Sequence, residues 1–186
     1  MALGIEFHGA ARQVTGSLYV VRTGKHTVLL ECGLVQGGKR EEMRNAEPFP
    51  VSPASIDAVI LSHAHIDHSG RIPLLVKQGY RGPVYAQRAT RALCGIMLPD
   101  SGYLNEKDAQ WENKRRSERN EDPVEPLYTR TDAEACLSQF EGIRYDSPTE
   151  ILPGLTVTFH DAGHILGSAI VELSQRDSTG RGTIVF

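Results

Sequence analysis

Short apolar runs divided by turn residues open the chain. Ile5 to His8, Ser17 to Arg22 and Thr27 to Glu31 read as strands, parted by Gly9, Gly16 and Thr23-Gly24. Gly24-Lys25 marks a hairpin tip. A loop rich in Gly and Pro runs from Gly33 to Pro53. The pattern then alternates. Asp57 to Leu61 (DAVIL) fits a buried strand. Ser69 is placed to cap a helix that runs through Gln78, with Gly79 ending it and Pro73 tolerated near its first turn. Pro83 to Ala86 is another strand. From Gln87 to Leu98 the apolar positions Ala89, Ala92, Leu93, Ile96 and Met97 recur at helical spacing, and Pro99 is expected to stop that helix.

Leu104 to Arg119 reads as a separate, mostly polar helix in which Glu112 and Arg116 are spaced for an ion pair. After a loop from Asn120 to Pro126, Thr131 to Phe140 is expected to be a short helix capped by Thr131 or Asp132. The chain then returns to β-structure. Leu155, Val157 and Phe159 share one face of a strand that reaches His160. Ser168 to Leu173 and Thr183 to Phe186 flank the polar turn Asp177 to Gly182 as a hairpin. Strands alternating with helices place the chain in the α/β class.

Composition changes this picture little. Of 186 residues, 40% are hydrophobic and 23% charged, enough for one sizeable core in an ordinary globular protein. No apolar run approaches the roughly 18 residues that cross a bilayer. The start, MALGIEFHGA, lacks the basic-then-apolar layout of a secretion signal, so a cytoplasmic location is expected. Cys32, Cys94 and Cys136 are odd in number and form no CxxC pair, which argues against both a disulfide framework and a cysteine zinc cage. A net charge of -3 means that attraction to nucleic acid must come from a local patch, bound metal or sequence outside this chain.

The chemistry concentrates at His63-Ala64-His65-Ile66-Asp67-His68, directly after DAVIL. Three imidazoles and a carboxylate within six residues gain little from burial and repel when protonated. As metal ligands they suit zinc, manganese or iron better than calcium or magnesium. His164 follows a strand and lies between Gly163 and Gly167, where the backbone can approach closely. Beside the cluster it becomes a ligand candidate, whereas Asp161 reads as a turn residue or a partner of a ligand. Glu31 closes an apolar strand and either sits at a solvated edge or orients metal ligands; the pattern does not choose. His160 falls opposite Leu155, Val157 and Phe159, towards solvent. His8 and His26 read as structural, and Cys32 as a small buried residue rather than a nucleophile. Lys114, Arg115, Arg116 and Arg119 form a basic run among acids, which favours a solvated helix face over an RNA clamp.

HAHIDH resembles the HxHxDH motif of the metallo-β-lactamase superfamily. FHGAARQVTGS, LLECGLVQGG, ILSHAHIDHSGRIPLLVKQGYRGPVYA, PLYT and DAGHILGSA are similar to the RNA-processing β-CASP branch over nearly the whole chain. The resemblance implies the N-terminal portion of an αββα sandwich, with residues 1–186 forming a metallo-β-lactamase domain incomplete at its C-terminal end and lacking the β-CASP domain. It implies one zinc on His63, His65 and His164 and a second on Asp67 and His68, with manganese as an alternative metal. It implies two catalytic carboxylates: Asp67, which binds metal and holds the nucleophile, and Glu31, which orients the site from the position where the family usually has aspartate. A bridging aspartate and a further histidine of the family fall beyond Phe186. The implied activity is hydrolysis of single-stranded RNA by a hydroxide held between two metals, in a soluble protein whose oligomeric state is left open. The rival expectations are a hydrolase of thioesters, lactones or lactams, and a scaffold subunit without catalysis. The 186-residue chain alone is expected to hold at most about one zinc tightly and to have negligible nuclease activity.

Overall fold

The computed structural model describes residues 3–177 and 180–186. Among the described residues, ten strands form two sheets. In the first, β1 (Gly4–Phe7), β2 (Tyr19–Arg22) and β3 (Thr27–Leu30) pair antiparallel; β4 (Ala58–Leu61), β5 (Val84–Gln87) and β6 (Phe140–Ile143) then extend β3 in parallel, in the order β1-β2-β3-β4-β5-β6. The second sheet is antiparallel, in the order β10-β9-β8-β7, with β7 at Thr149–Leu152, β8 at Leu155–Asp161, β9 at Ala169–Asp177 and β10 at Gly180–Val185.

The helices are α1 (Lys39–Glu42), α2 (Ile66–Ser69), α3 (Ile72–Lys77), α4 (Arg88–Ser117) and α5 (Arg130–Cys136). Strand alternation divides the apolar residues between two cores. Leu29, Val59, Leu61, Val84 and Ala86 face the helical layer, where Leu75, Cys94, Leu98 and Ala133 meet them. Val28, Leu30, Ala58, Ile60 and Tyr85 face the second sheet, against Leu155, Val157, Phe159, Val171 and Leu173. Among the described residues this gives three layers of the sandwich: helices, sheet, sheet.

Four sequence expectations are corrected. Pro99 does not stop a helix: α4 runs 30 residues through it, joining the stretch up to Leu98 with the stretch from Leu104. A proline here costs one backbone bond, to the carbonyl of Gly95, which is exposed. Packing compensates on the far side. Leu98 and Pro99 are buried, Ser101 Oγ meets Tyr128 OH at 2.7 Å, and Gly102 lies so close to Thr129 and Arg130 that a Cβ would approach their backbone to 2.7–2.8 Å. The cap of α5 is neither Thr131 nor Asp132 but Thr129, with Asp132 as the third helical residue of its capping box. Ser69 does not cap α3, whose N-cap is Arg71; its hydroxyl donates to the carbonyls of Ala64 and His65. Glu112 pairs with Lys39 at 3.7 Å and Arg116 with Glu121 at 3.5 Å, rather than with each other. The stretch 33–53 also holds α1 and a 3-10 turn at Met43–Ala46, and β6 and β7 had no expected counterpart.

Candidate metal centre

The cluster sits where β4 ends. Parallel strands aim their C-terminal ends at one edge, and the loop leaving Leu61 is laced to its neighbours there. Cys32 N–H donates to the carbonyl of His68 (2.8 Å), Leu34 N–H to that of Ile66 (2.9 Å) and Ser17 N–H to that of Asp67 (2.9 Å). Three bonds from two separate segments, at Ser17 and at Cys32–Leu34, therefore fix the backbone of one six-residue loop. Gly33 makes the lacing feasible, since a Cβ at this position would fall 1.7 Å from the carbonyl oxygen of Asp67. Gly33→Ala is expected to destabilise the fold by about 1–3 kcal/mol or more, read as a fall in thermal midpoint, and to displace Asp67 and His68. An unchanged midpoint would show that the loop has slack.

The second loop follows β8. Asp161 Oδ1 accepts from Gly163 N–H (2.9 Å), and Ser168 Oγ accepts from His164 N–H (3.0 Å) and Ile165 N–H (3.1 Å). Asp161 is thus a turn residue. Gly163 and Gly167 have φ of 66° and 84°, where a side chain would be strained. Thr90 Oγ1 donates to the Gly167 carbonyl (2.7 Å), and Ala169 N–H to that of Ser62 (2.9 Å), so this loop is tied both to α4 and to the start of the first loop.

The two loops bring His164 to His65 across 99 positions of sequence. His65 Nδ1 lies 3.2 Å from His63 Nε2 and 3.3 Å from His164 Nε2. Hydrogen bonds explain this poorly, because neutral imidazole carries one proton and His63 directs its Nδ1 at Ser62 Oγ (2.9 Å). The spacing does match a tetrahedral cation: ligand atoms 2.0–2.1 Å from zinc stand roughly 3.3–3.4 Å apart. His63 is buried, His65 half-buried and His164 exposed, so the site opens to solvent on the His164 side. Burial, and then the neighbouring His68, His65 and His164, push the His63 pKa down to about 3. Its ring stays neutral, the form a metal needs.

Beside this triad, His68 Nε2 stands 3.6 Å from Asp67 Oδ2, and the His63 and His68 rings are 4.0 Å apart between centroids. Asp67 is half-buried.

Glu31 is fully buried, which removes the solvated-edge alternative. Its Oε1 accepts from Ser62 N–H (2.6 Å); its Oε2 accepts from Ser62 Oγ–H (3.1 Å) and from His68 Nδ1–H (2.5 Å). Glu31, His63 and His68 are mutually close enough to suggest a ligand set, but the carboxylate is committed to these donors. It faces Nδ1 of His68, the nitrogen opposite the one turned to Asp67. Glu31 therefore acts as a brace. In the neutral rings it draws the proton to Nδ1 of His68 and, through Ser62, to Nδ1 of His63, which leaves both Nε2 atoms free. Burial raises the Glu31 pKa; burial alone would lower that of His68, but the contact with Glu31 holds it above its ordinary value. Both shifts fit one proton shared along this contact. The positive φ of Glu31, 66°, turns its side chain in at the strand end. Ser62, a short polar residue before the first histidine, was not singled out from the sequence, and only the geometry reveals its part.

Residues 11–129 match the model of the metallo-beta-lactamase superfamily. This chain belongs to that superfamily. It is 42% identical over 163 residues to the ribonuclease TTHA0252 of Thermus thermophilus, covering 88% of this chain and 33% of that protein. It is 37% identical over 183 residues to the transcription termination factor FttA of Methanosarcina mazei, covering 96% of this chain and 26% of that one. The chain thus spans about a third or a quarter of these relatives. Among solved structures it resembles MEM-A1, a subclass B3 metallo-beta-lactamase from a soil metagenome library, at a TM-score of 0.53 and 15% identity, over 92% of this chain and 56% of that one. This last likeness concerns the fold alone.

The remaining histidines stand apart from the centre. His160 pairs with Asp146 (2.7 Å) and Glu172 (3.2 Å) on the outer face of the second sheet; His8 lies 3.2 Å from Glu6 and His26 3.8 Å from Asp57. Cys32 is buried and its thiol is pushed up to about 12 by burial, which suits packing and not nucleophilic attack.

Proposed function

We propose that this chain carries most of the two-metal centre of a β-CASP-type ribonuclease acting on single-stranded RNA. The observation that carries the reading is the meeting of His164 with His63 and His65 at tetrahedral spacing, in a chain similar to a ribonuclease. His63 Nε2, His65 Nδ1 and His164 Nε2 hold one zinc; His68 Nε2 and Asp67 hold the second. Bound zinc supplies Lewis acidity towards a phosphoryl oxygen and acidifies a water to make the nucleophile. The chain's own groups prepare the rest. Glu31 and Ser62 set which imidazole nitrogens are free. Asp67, half-buried beside His68, can orient the attacking water and take up its hydrogen bond. The exposed His164 side is open to a phosphodiester. Cys32 is buried and its thiol stays protonated, so it does not serve as a covalent nucleophile.

The test has two arms. Zinc titration of the 186-residue chain, with metal analysis, is expected to give about one tightly held ion, as for three-histidine sites. The longer protein that contains this segment is expected to cleave single-stranded RNA only when metal-loaded. Hydrolysis of a thioester, lactone or lactam without RNA cleavage would overturn the ribonuclease reading. Two tightly held ions and robust RNA cleavage by residues 1–186 would overturn the division of the centre.

A further inference from the structure

The outward face of α4 is unusual for a helix in an α/β layer. Its buried side, through Cys94, Leu98, Ser101 and Ala109, packs against the rest of the helical layer and the first sheet. A solvated face should then be polar. Instead Tyr103 is 44% and Trp111 70% exposed. Positions 103, 107, 111 and 115 follow one another at four-residue spacing, so they line a single stripe. The stripe alternates ring and cation. Lys107 Nζ lies 5.3 Å from the Tyr103 ring centre, and the Arg115 guanidinium 5.7 Å from that of Trp111. Leu104, 52% exposed, widens its apolar side, and Lys114 is exposed beside it.

The neighbouring acids are partly engaged elsewhere. Glu112 pairs with Lys39 (3.7 Å), and Glu106 accepts from the backbone N–H of Arg130 (3.2 Å). Asp100 bounds the stripe one turn before Tyr103, and Asp108 lies on its flank. What remains along the stripe is two large π-faces with a cation held against each. Bases stack on such rings whatever their identity, while the cations meet the phosphates between them. An apolar protein partner would use the rings but would gain nothing from cations placed over them.

We propose that the Tyr103–Lys107–Trp111–Arg115 stripe of α4 is a stacking platform for single-stranded RNA, separate from the metal centre. The proposal rests on the RNA reading given above and adds a second contact for the same strand. Tyr103 and Trp111 are eight residues apart, about 12 Å along the axis, which leaves room for a nucleotide between two stacked bases. Thr90, tied to the His164 loop, lies roughly 20 Å up the helix from Tyr103. The platform is assigned to retaining RNA, and the cleavage to the metal centre. It also gives a role to part of the basic run, Lys114 and Arg115, within a chain of net charge -3.

Trp111 is the only tryptophan in the chain, so its emission reports on this stripe directly. Titration of the zinc-loaded protein with oligo(U) is expected to quench that emission in a saturable manner that weakens with added salt. A blunt RNA duplex, whose bases are already stacked, should quench far less. With fluorescently labelled oligo(U), Tyr103→Ala and Trp111→Ala are each expected to weaken binding by roughly tenfold, and Arg115→Gln by less, with zinc content unchanged. RNA binding that leaves Trp111 emission and the ring variants unaffected would overturn the platform and leave the ribonuclease reading standing. No binding of single-stranded RNA at all would overturn both. Emission that changes with protein concentration in the absence of RNA would overturn the platform in favour of self-association.

Discussion

His65→Ala is expected to empty the three-histidine site and abolish RNA cleavage by the protein that contains this segment. His65 is the vertex of the triad: its Nδ1 is within 3.3 Å of both other ligand nitrogens. Structural zinc binds with an apparent 10–16 kcal/mol, so one of three histidines accounts for about 3–5 kcal/mol, on the order of a hundredfold or more in affinity. The fold should survive, because His65 is half-buried and helix α2 is held by backbone bonds, including those from Ser69 and His68 N–H to the His65 carbonyl. Zinc competition against a chromophoric chelator gives the affinity, and circular dichroism the fold. Zinc affinity equal to that of the unaltered chain would remove His65 from the ligand set and the triad with it.

Glu31→Gln is the second large effect, and it needs no change of shape. The carboxylate accepts three hydrogen bonds. An amide has one oxygen and one NH2, and neither orientation serves. With NH2 towards Ser62 N–H, two donors face each other. With NH2 towards His68 Nδ1 and Ser62 Oγ, His68 must place its proton on Nε2, the nitrogen that faces Asp67. Ser62 would then donate to His63 Nδ1 and drive that proton onto Nε2 as well. Disturbing a partner of this kind costs roughly 10–100-fold in metal affinity, and here both metal positions are affected. The measurement is the tautomer of His63 and His68 by nitrogen NMR on the metal-free chain, together with cobalt or zinc affinity. Nδ1-protonated rings and unaltered affinity in Glu31→Gln would reduce Glu31 to a packing residue. Glu31→Ala is a poorer test, since it leaves the buried Ser62 N–H without a partner and costs about 1–3 kcal/mol of folding stability.

Local pattern was sufficient wherever neighbouring residues supplied the physics. The short apolar runs of β2, β3 and β4, the alternation in β8, the hairpin at Gly24-Lys25 and the dense HAHIDH loop were all legible, because strand burial and ligand chemistry reside in adjacent positions. Pro99 misled for the same reason. Read locally it is a helix breaker; in the fold, Tyr128, Thr129 and Arg130 pack along the helix on its far side and hold α4 straight through it. The partner of Glu112 was likewise settled by a segment that local spacing could not see, Lys39, whereas the α5 cap at Thr129 and the Arg116–Glu121 pair are local features that the sequence reading placed differently.

By itself, the sequence determined the α/β class, the strands that build the sheet edge and the residue types able to hold zinc. Only the tertiary structure decided what those residues do. Glu31 became a brace when burial placed its carboxylate against Ser62 and His68. His164 became the third member of a triad when backbone bonds from Ala169 to Ser62, and a side-chain bond from Thr90 to Gly167, drew its loop to the end of β4. Which nitrogen of a ring is free, and which carboxylate is spent on a hydrogen bond, depends on partners up to a hundred residues away. Such partners leave no mark on local periodicity, because they are selected by the packing of the two sheets and the loops at one shared edge.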